Sequence, residues 1–288
     1  MFAKAGSCAR RGVTSPMAGA IPAGSSVTFQ AHAVRCRHNP GDADTGLLWM
    51  RGWRSRGNSW MSTTTNNQDW KKKARLEAVA RRMRIDSARK KEMETRIYQQ
   101  LKAALLDVLS DCVVGFCWPY KGEFDQRFFM RDLRERGART ALPIVVKNAS
   151  PMIFRLWRPG VAMAPGVFGI PVPKDTPLVK PDLVLPPMNA FDDAGFRLGY
   201  GGGFFDRTLA AIEPRPLAVG VAFEEQRVAT IYPTEHDIPM DFIVTEANVY
   251  RRLDGRVGPV STGECSAAVI ELMRRRALPR EQDVRPER

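Results

Sequence analysis

The chain has 288 residues, 44% of them hydrophobic, and a formal net charge of +13. These totals suit one or two globular domains with ample core. No apolar run approaches the roughly 20 residues of a membrane-spanning helix. Five cysteines, an odd number with no CxxC pair, argue against a disulfide framework or a zinc site and fit a reducing, cytoplasmic setting.

Residues 1–60 hold eight Lys and Arg against two Asp, about half of the positive excess. They are rich in Gly, Ser, Ala and Arg, without apolar periodicity or a secretory h-region. The segment 1–66 reads as a disordered extension or as sequence upstream of a mis-called start, with an organelle transit peptide as the alternative. Met61 opens "MSTTTNNQDW", which resembles a natural polar N-terminus. The folded domain is expected over 67–278, with 279–288 as a flexible tail.

A helix is predicted from Asp69, the candidate N-cap, with Leu76, Val79, Ala80 and Met83 at helical spacing. A second helix follows, placing Met93, Ile97, Leu101, Leu105 and Val108 on one face. "CVVGFCW" (112–118) reads as a buried strand, with Cys112 and Cys117 as small core residues. Residues 124–137 form an amphipathic helix that stops at Gly137. Strands are predicted at 139–146, 152–157 and 182–187. A helix then opens near 202, strands follow at 216–223 and 241–246, and a last helix covers 266–278. Short apolar strands alternating with amphipathic helices predict an α/β fold with a mostly parallel sheet covered on both faces. Ligands of such sheets bind on loops beyond the carboxyl ends of the strands.

The loop after the strand at 182–187 reads "RLGYGGGFFDR" (197–207). Glycines let backbone N–H groups close on an anion and permit positive φ. A helix N-terminus adds partial positive charge, and Arg197 offers a planar fork to phosphate oxygens. Asp206 would repel phosphate directly, so its place there makes sense with Mg²⁺ between them. The stretch thus reads as a cradle for a nucleoside triphosphate and a metal ion. Phe204 breaks the GxGxxG pattern, and no GxxxxGK[ST] is present, which disfavours the common dinucleotide and P-loop folds.

The whole segment "DLVLPPMNAFDDAGFRLGYGGGFFDRTL" (182–209) resembles the signature of the 5-formyltetrahydrofolate cyclo-ligase family, also called methenyltetrahydrofolate synthetase. The resemblance extends over about 69–250 and implies a three-layer α/β/α sandwich. It implies that ATP is bound by Arg197, Leu198, Gly199, Tyr200, Gly201, Gly202, Gly203, Phe204 and Phe205. Lys71 and Arg75 of "KKKAR" join them, at the i, i+4 spacing of one helix face; Lys72 and Lys73 are alternatives for Lys71. It implies folate contacts from Glu123 and Trp118, where a carboxylate accepts pterin N–H groups and an aromatic face stacks. Asp206 and, of the pair Asp237 and Asp241, Asp237 would hold Mg²⁺. His236 is set aside, since magnesium prefers oxygen.

The implied reaction converts 5-formyltetrahydrofolate and ATP to 5,10-methenyltetrahydrofolate, ADP and phosphate. Arg197 is the residue expected to act on the transferring phosphoryl group. The small-molecule substrate is the expected partner, with neither nucleic acid nor membrane. The sequence departs from the family pattern at Phe204-Phe205, where two tyrosines are usual, and at Pro187-Met188-Asn189. Two other readings stay open: a basic nucleic-acid-binding protein on the same fold, motivated by "WMRGWRSRGNSW" (49–60), or an ATP-dependent ligase with a different substrate.

Overall fold

A computed structural model describes residues 59–277. The readings placed on 1–58 and 278–288, including Cys8 and Cys36, lie outside the described residues.

Helices α1 (Ser59–Met83) and α2 (Ser87–Leu105) open the described chain. Then come β1 (Val113–Phe116), α3 (Arg127–Glu135), β2 (Arg139–Ile144) and β3 (Ile153–Leu156). Short strands follow at β4 (Met163–Pro165), β5 (Pro171–Pro173), β6 (Leu178–Val179), β7 (Leu183–Leu185), β8 (Ala190–Asp192) and β9 (Arg197–Leu198). The last part holds α4 (Phe204–Ala211), β10 (Leu217–Val221), β11 (Arg227–Val228), β12 (Phe242–Val244), β13 (Val249–Leu253), β14 (Arg256–Val260) and α5 (Thr262–Ala277).

Among the described residues the main sheet has nine strands, in the order β14-β13-β12-β10-β7-β1-β2-β3-β6. Its centre, from β12 to β2, is parallel. The flanks are antiparallel: β13 and β14 on one side, β3 and β6 on the other. The central strands were legible because both of their faces are apolar. Val114, Phe116, Leu183, Leu185, Leu217, Val219, Phe242 and Val244 face one core together with α2, α3 and α5. Val113, Val184, Ala218 and Ile243 face a second core with Phe205 and Leu209 of α4. Alternation along each strand thus fills two layers. A small sheet, β11-β8-β9, lies in the loop region that carries the glycines. The result is a mixed α/β architecture with the expected parallel centre.

Three local expectations need correction. The first helix starts at Ser59, ten residues before the candidate N-cap Asp69. Its apolar residues also do not form the buried face, since Leu76 and Met83 are 68% and 61% exposed. The inward face carries Lys71, Ala74, Ala78 and Arg82 instead. Alanines permit close approach, and the aliphatic stems of the cations supply the packing. Finally, Cys112 and Cys117 are only half-buried, whereas Cys265 is fully buried and its thiol is pushed up to about 12 by desolvation, with Arg251 opposing the shift. The second helix is as read for Met93, Ile97, Leu101 and Leu105, all buried; Val108 lies beyond its end.

These faces predict opposite outcomes for two leucines. Leu101→Ala should destabilise the protein by about 2–5 kcal/mol, since Leu101 is fully buried. Leu76→Ala should stay within about 0.5 kcal/mol. Denaturant unfolding of the two variants checks the assignment.

Candidate active site

A pocket of about 450 Å³ lies at the carboxyl ends of β1, β2 and β7, lined there by Cys117, Trp118, Pro143, Val145 and Pro187. Lys71 and Arg75 of α1, the loop 197–206 and Asp237 also line it. The described structure therefore brings all fifteen residues singled out in the sequence to one cavity.

The glycine loop is shaped by its neighbours. Gly201 and Gly203 adopt left-handed φ of +97° and +63°, which disfavours any side chain there. Gly202 is not left-handed; its constraint is space, because a Cβ would come within 2.7 Å of the Phe204 ring. Gly203 leads directly into α4, so the first turn of that helix presents Asp206 at the pocket. Leu198 packs in a small core with Ala190 and Ile231, so its side chain anchors the loop.

Three cations line the pocket, two from one face of α1 and one from β9. Arg75 donates from Nε to the Gly199 carbonyl at 3.0 Å, and its guanidinium lies against Gly201. Burial lowers its pKa, an effect that Asp237 partly opposes, yet it has no ion pair among the described residues. Lys71 contacts Asp237 Oδ2 at 3.2 Å. Lys73, by contrast, pairs with Glu77 on the exposed face, so the register of "KKKAR" that faces the pocket is Lys71. Arg197 is buried and donates from Nη1 to Asp206 Oδ1 at 2.9 Å and to the Ile238 carbonyl at 3.2 Å.

Asp206 and Asp237 meet through one turn. Asp206 Oδ1 also accepts the Ile238 N–H at 3.1 Å. Asp237 Oδ2 accepts from the Thr234 N–H at 2.7 Å as well as from Lys71. Burial pushes the Asp237 carboxyl up, but the Thr234 backbone and Lys71 more than offset this, holding it below the usual carboxylate range. The remaining oxygen of each aspartate makes no hydrogen bond among the described residues. Two carboxylates with one uncommitted oxygen each fit Mg²⁺, which takes one or two carboxylates and completes its shell from phosphates and water. A group of three or more His, Cys, Asp or Glu suited to a metal is absent among the described residues.

On another wall, Glu123 accepts from the Tyr200 hydroxyl at 2.7 Å and from the Tyr120 N–H at 3.1 Å. Burial raises its pKa, opposed by Tyr200, Arg82 and the Tyr120 N–H. Trp118 packs edge-on against Trp157, with the Arg127 guanidinium 4.9 Å from its ring. Leu142, Met152, Ile170 and Val172 complete an apolar lining.

Sequence reading missed Arg82. Its side chain is 1% exposed and makes four contacts: to the Lys121 carbonyl, the Met188 carbonyl, Asn189 Oδ1 and the Tyr200 hydroxyl. The available signal was its spacing, seven residues after Arg75 on the same helix face, which exposed Arg81 and Arg84 do not share.

A parallel-centred sheet with a glycine-rich, cation-lined loop beyond its strand ends, two carboxylates beside it and a mostly buried glutamate on another wall of one pocket is the arrangement of an α/β enzyme. Residues 67–246 match the model of the 5-formyltetrahydrofolate cyclo-ligase family. The chain is 33% identical over 138 residues to the 5-formyltetrahydrofolate cyclo-ligase of Escherichia coli (strain K12), spanning 46% of this chain and 76% of that protein. It is 32% identical over 135 residues to that of Haemophilus influenzae, spanning 44% and 72%. The NMR structure of Aquifex aeolicus 5,10-methenyltetrahydrofolate synthetase superposes with a TM-score of 0.56 at 30% identity, covering 65% of this chain and 94% of that one. A Mycoplasma pneumoniae 5,10-methenyltetrahydrofolate synthetase, 22% identical with a TM-score of 0.51 over 61% and 98% of the two chains, shares the fold. The chain belongs to the 5-formyltetrahydrofolate cyclo-ligase family, and so to the ligases of folate metabolism.

Arg82 yields a stability prediction. Arg82→Met would remove four hydrogen bonds and leave buried acceptors at Met188 and Asn189 without this donor, which should cost at least about 1–3 kcal/mol. Arg84→Met, two residues on and exposed, should cost no more than about 0.5 kcal/mol. Chemical denaturation of both variants would distinguish a structural cation from a surface one.

Proposed function

We propose that the protein converts 5-formyltetrahydrofolate to 5,10-methenyltetrahydrofolate with ATP and Mg²⁺, releasing ADP and phosphate. The observation that carries the reading is Arg75. It is a partly desolvated guanidinium fixed over bare glycine backbone, with no ion pair among the described residues, in the same pocket as the mostly buried Glu123. Such a cation is set for an anion that the protein itself does not provide.

In this reading the triphosphate lies along Gly199, Gly201, Gly202 and Gly203, with Lys71 and Arg75 on its oxygens. Phe204 and Phe205 keep the aromatic packing of the loop while lacking the usual hydroxyls. Asp206 and Asp237 would hold Mg²⁺, whose role there is charge neutralisation across the phosphates. Arg197, clamped by Asp206, directs its remaining N–H groups at the transferring phosphoryl group. Glu123 accepts pterin N–H groups, and Trp118 offers an aromatic face.

The chemistry accounts for the absence of a protein nucleophile from the scheme. The formyl oxygen on N5 is a poor leaving group. Transfer of the γ-phosphoryl to that oxygen breaks the bond to ADP and makes a good leaving group. N10 then bonds to the formyl carbon, phosphate departs, and N10 loses its proton. Phosphoryl transfer of this kind depends on positioning and charge neutralisation. No helix of the described residues is long and apolar enough to cross a membrane, and the proposed site of action is the cytoplasm.

The test is appearance of methenyltetrahydrofolate absorbance with ATP and Mg²⁺. Arg75→Ala should lower kcat/KM for ATP by about 10- to 150-fold, the value of a hydrogen bond to a charged group. Asp206→Asn, whose amide oxygen can keep the acceptor role toward Arg197 and Ile238, should stay folded while the Mg²⁺ concentration needed for half-maximal rate rises. Absence of turnover by the unaltered protein would refute the reading. Full activity in both variants would refute its assignment of the site.

A further inference from the structure

We infer that Tyr200 is a positioning residue for Glu123: a side chain carried by the glycine loop sets the carboxylate on the opposite wall, so that the two halves of the pocket form one unit. This rests on the assignment of Glu123 to folate above.

The geometry has three parts. The Tyr200 hydroxyl donates to Glu123 Oε1 at 2.7 Å. Arg82 Nη2 donates to that hydroxyl at 3.1 Å. The Tyr200 ring lies edge-on to Tyr120 with centroids 5.5 Å apart. A phenol has one proton to give, and donation by Arg82 to its oxygen leaves that proton directed at the carboxylate. The backbone around Tyr200 is fixed as well. The Gly199 carbonyl accepts from Arg75, and Gly201 lies against the same guanidinium. Tyr200 is therefore held at its main chain by a cation of the glycine-loop half and at its hydroxyl by the other half. Sequence resemblance places this residue with ATP, yet its side chain turns away to Glu123.

Glu123 is oriented through both oxygens: Oε1 accepts from Tyr200 and Oε2 from the Tyr120 N–H. Each keeps a lone pair for a ligand N–H. The groups facing it are Arg82 from α1, Tyr200 from the loop, Cys117 after β1, and the Tyr120 N–H of its own turn; Lys121 lies over the Tyr120 ring instead. Burial pushes the Cys117 thiol well above its usual range, so Cys117 is neutral. Burial also raises Glu123, and the Tyr200 hydrogen bond is the largest influence holding it down. Loss of that hydroxyl therefore moves the carboxyl upward, and an acceptor needed in ionised form is lost at a higher pH.

The experiment uses Tyr200→Phe in the full chain, which keeps the ring and its contact with Tyr120. We expect kcat/KM for 5-formyltetrahydrofolate to fall about tenfold, with the KM for ATP unmoved. The acid limb of the kcat/KM profile should shift to higher pH. In a Glu123→Gln background Tyr200→Phe should cost nothing further, as required of a residue that acts through Glu123. A ¹³C titration of the Glu123 carboxyl carbon in the free protein should show its midpoint raised by Tyr200→Phe. An active enzyme whose acid limb and Glu123 midpoint ignore the substitution overturns the inference. So do equal losses for ATP and folate, or costs that add in the double variant. A protein that makes no methenyltetrahydrofolate overturns the functional reading instead, and the carboxyl titration still decides whether Tyr200 governs Glu123.

Discussion

The site depends on one buried cation. Arg82 is withdrawn from water and spends its guanidinium on two backbone carbonyls, an amide oxygen and a phenol. Those acceptors belong to the turn before Glu123, the turn after β7 and the glycine loop. Three segments far apart in sequence are thereby fixed to the end of α1. An unpaired buried guanidinium would be costly, and saturation by hydrogen bonds is what makes it tolerable. The negative charge nearest to it is Glu123, 3.9 Å away and itself mostly withdrawn from water. Neither charge is well placed without the other, so stability of the α1 contact and readiness of the pocket are the same property.

The parallel centre of the sheet was legible because apolarity on both faces leaves a continuous run, as in "LAVGV" and "LVL". Of the antiparallel flanks only β3 was legible, within "MIFRLW"; β6, β13 and β14 were not, because they are short or half exposed and polar. "VYRRLDGRVGPV" (249–260) is a hairpin whose Asp254 and Gly255 take φ of 47° and 81°. An Asp-Gly pair between two runs is a strong hairpin signal, and it was available in the sequence. Two arginines in β13 hid it, since they break the alternation that marks a strand. The β8–β9 pair was hidden for another reason: its strands are three and two residues long. Buried Asp192 holds that turn, accepting N–H groups from Ala194, Phe196 and Ile231. The "AFD" part of the signature is thus architecture.

The pocket was more legible than the helix that closes it. Glycines, Arg197 and Asp206 lie consecutively, so their joint chemistry is visible in one line of sequence. Lys71 and Arg75 could be placed on one helix face, but choice among three consecutive lysines needed the structure. Helical periodicity even pointed to the wrong face of α1, because Leu76 and Met83 suggest a hydrophobic stripe where the protein uses alanines and cationic stems. Tyr200 was assigned by neighbourhood along the chain, whereas its side chain answers to a turn nearly eighty residues earlier.

Helix α1 supplies Lys71, Arg75 and Arg82 at intervals of four and seven residues. At 100° per residue these positions fall within a narrow sector, and at about 1.5 Å of rise they are spread over roughly 16 Å. The helix therefore serves as a ruler laid across the pocket, with its marks at the aspartate turn, the glycine loop and the glutamate turn. Its scale is set by backbone hydrogen bonding and cannot stretch. An insertion or deletion of one residue between 75 and 82 would swing the first two marks about 100° from the third. The separation between the two halves of the site is thus written into the pitch of a single helix, and the loops around it have only to meet its graduations.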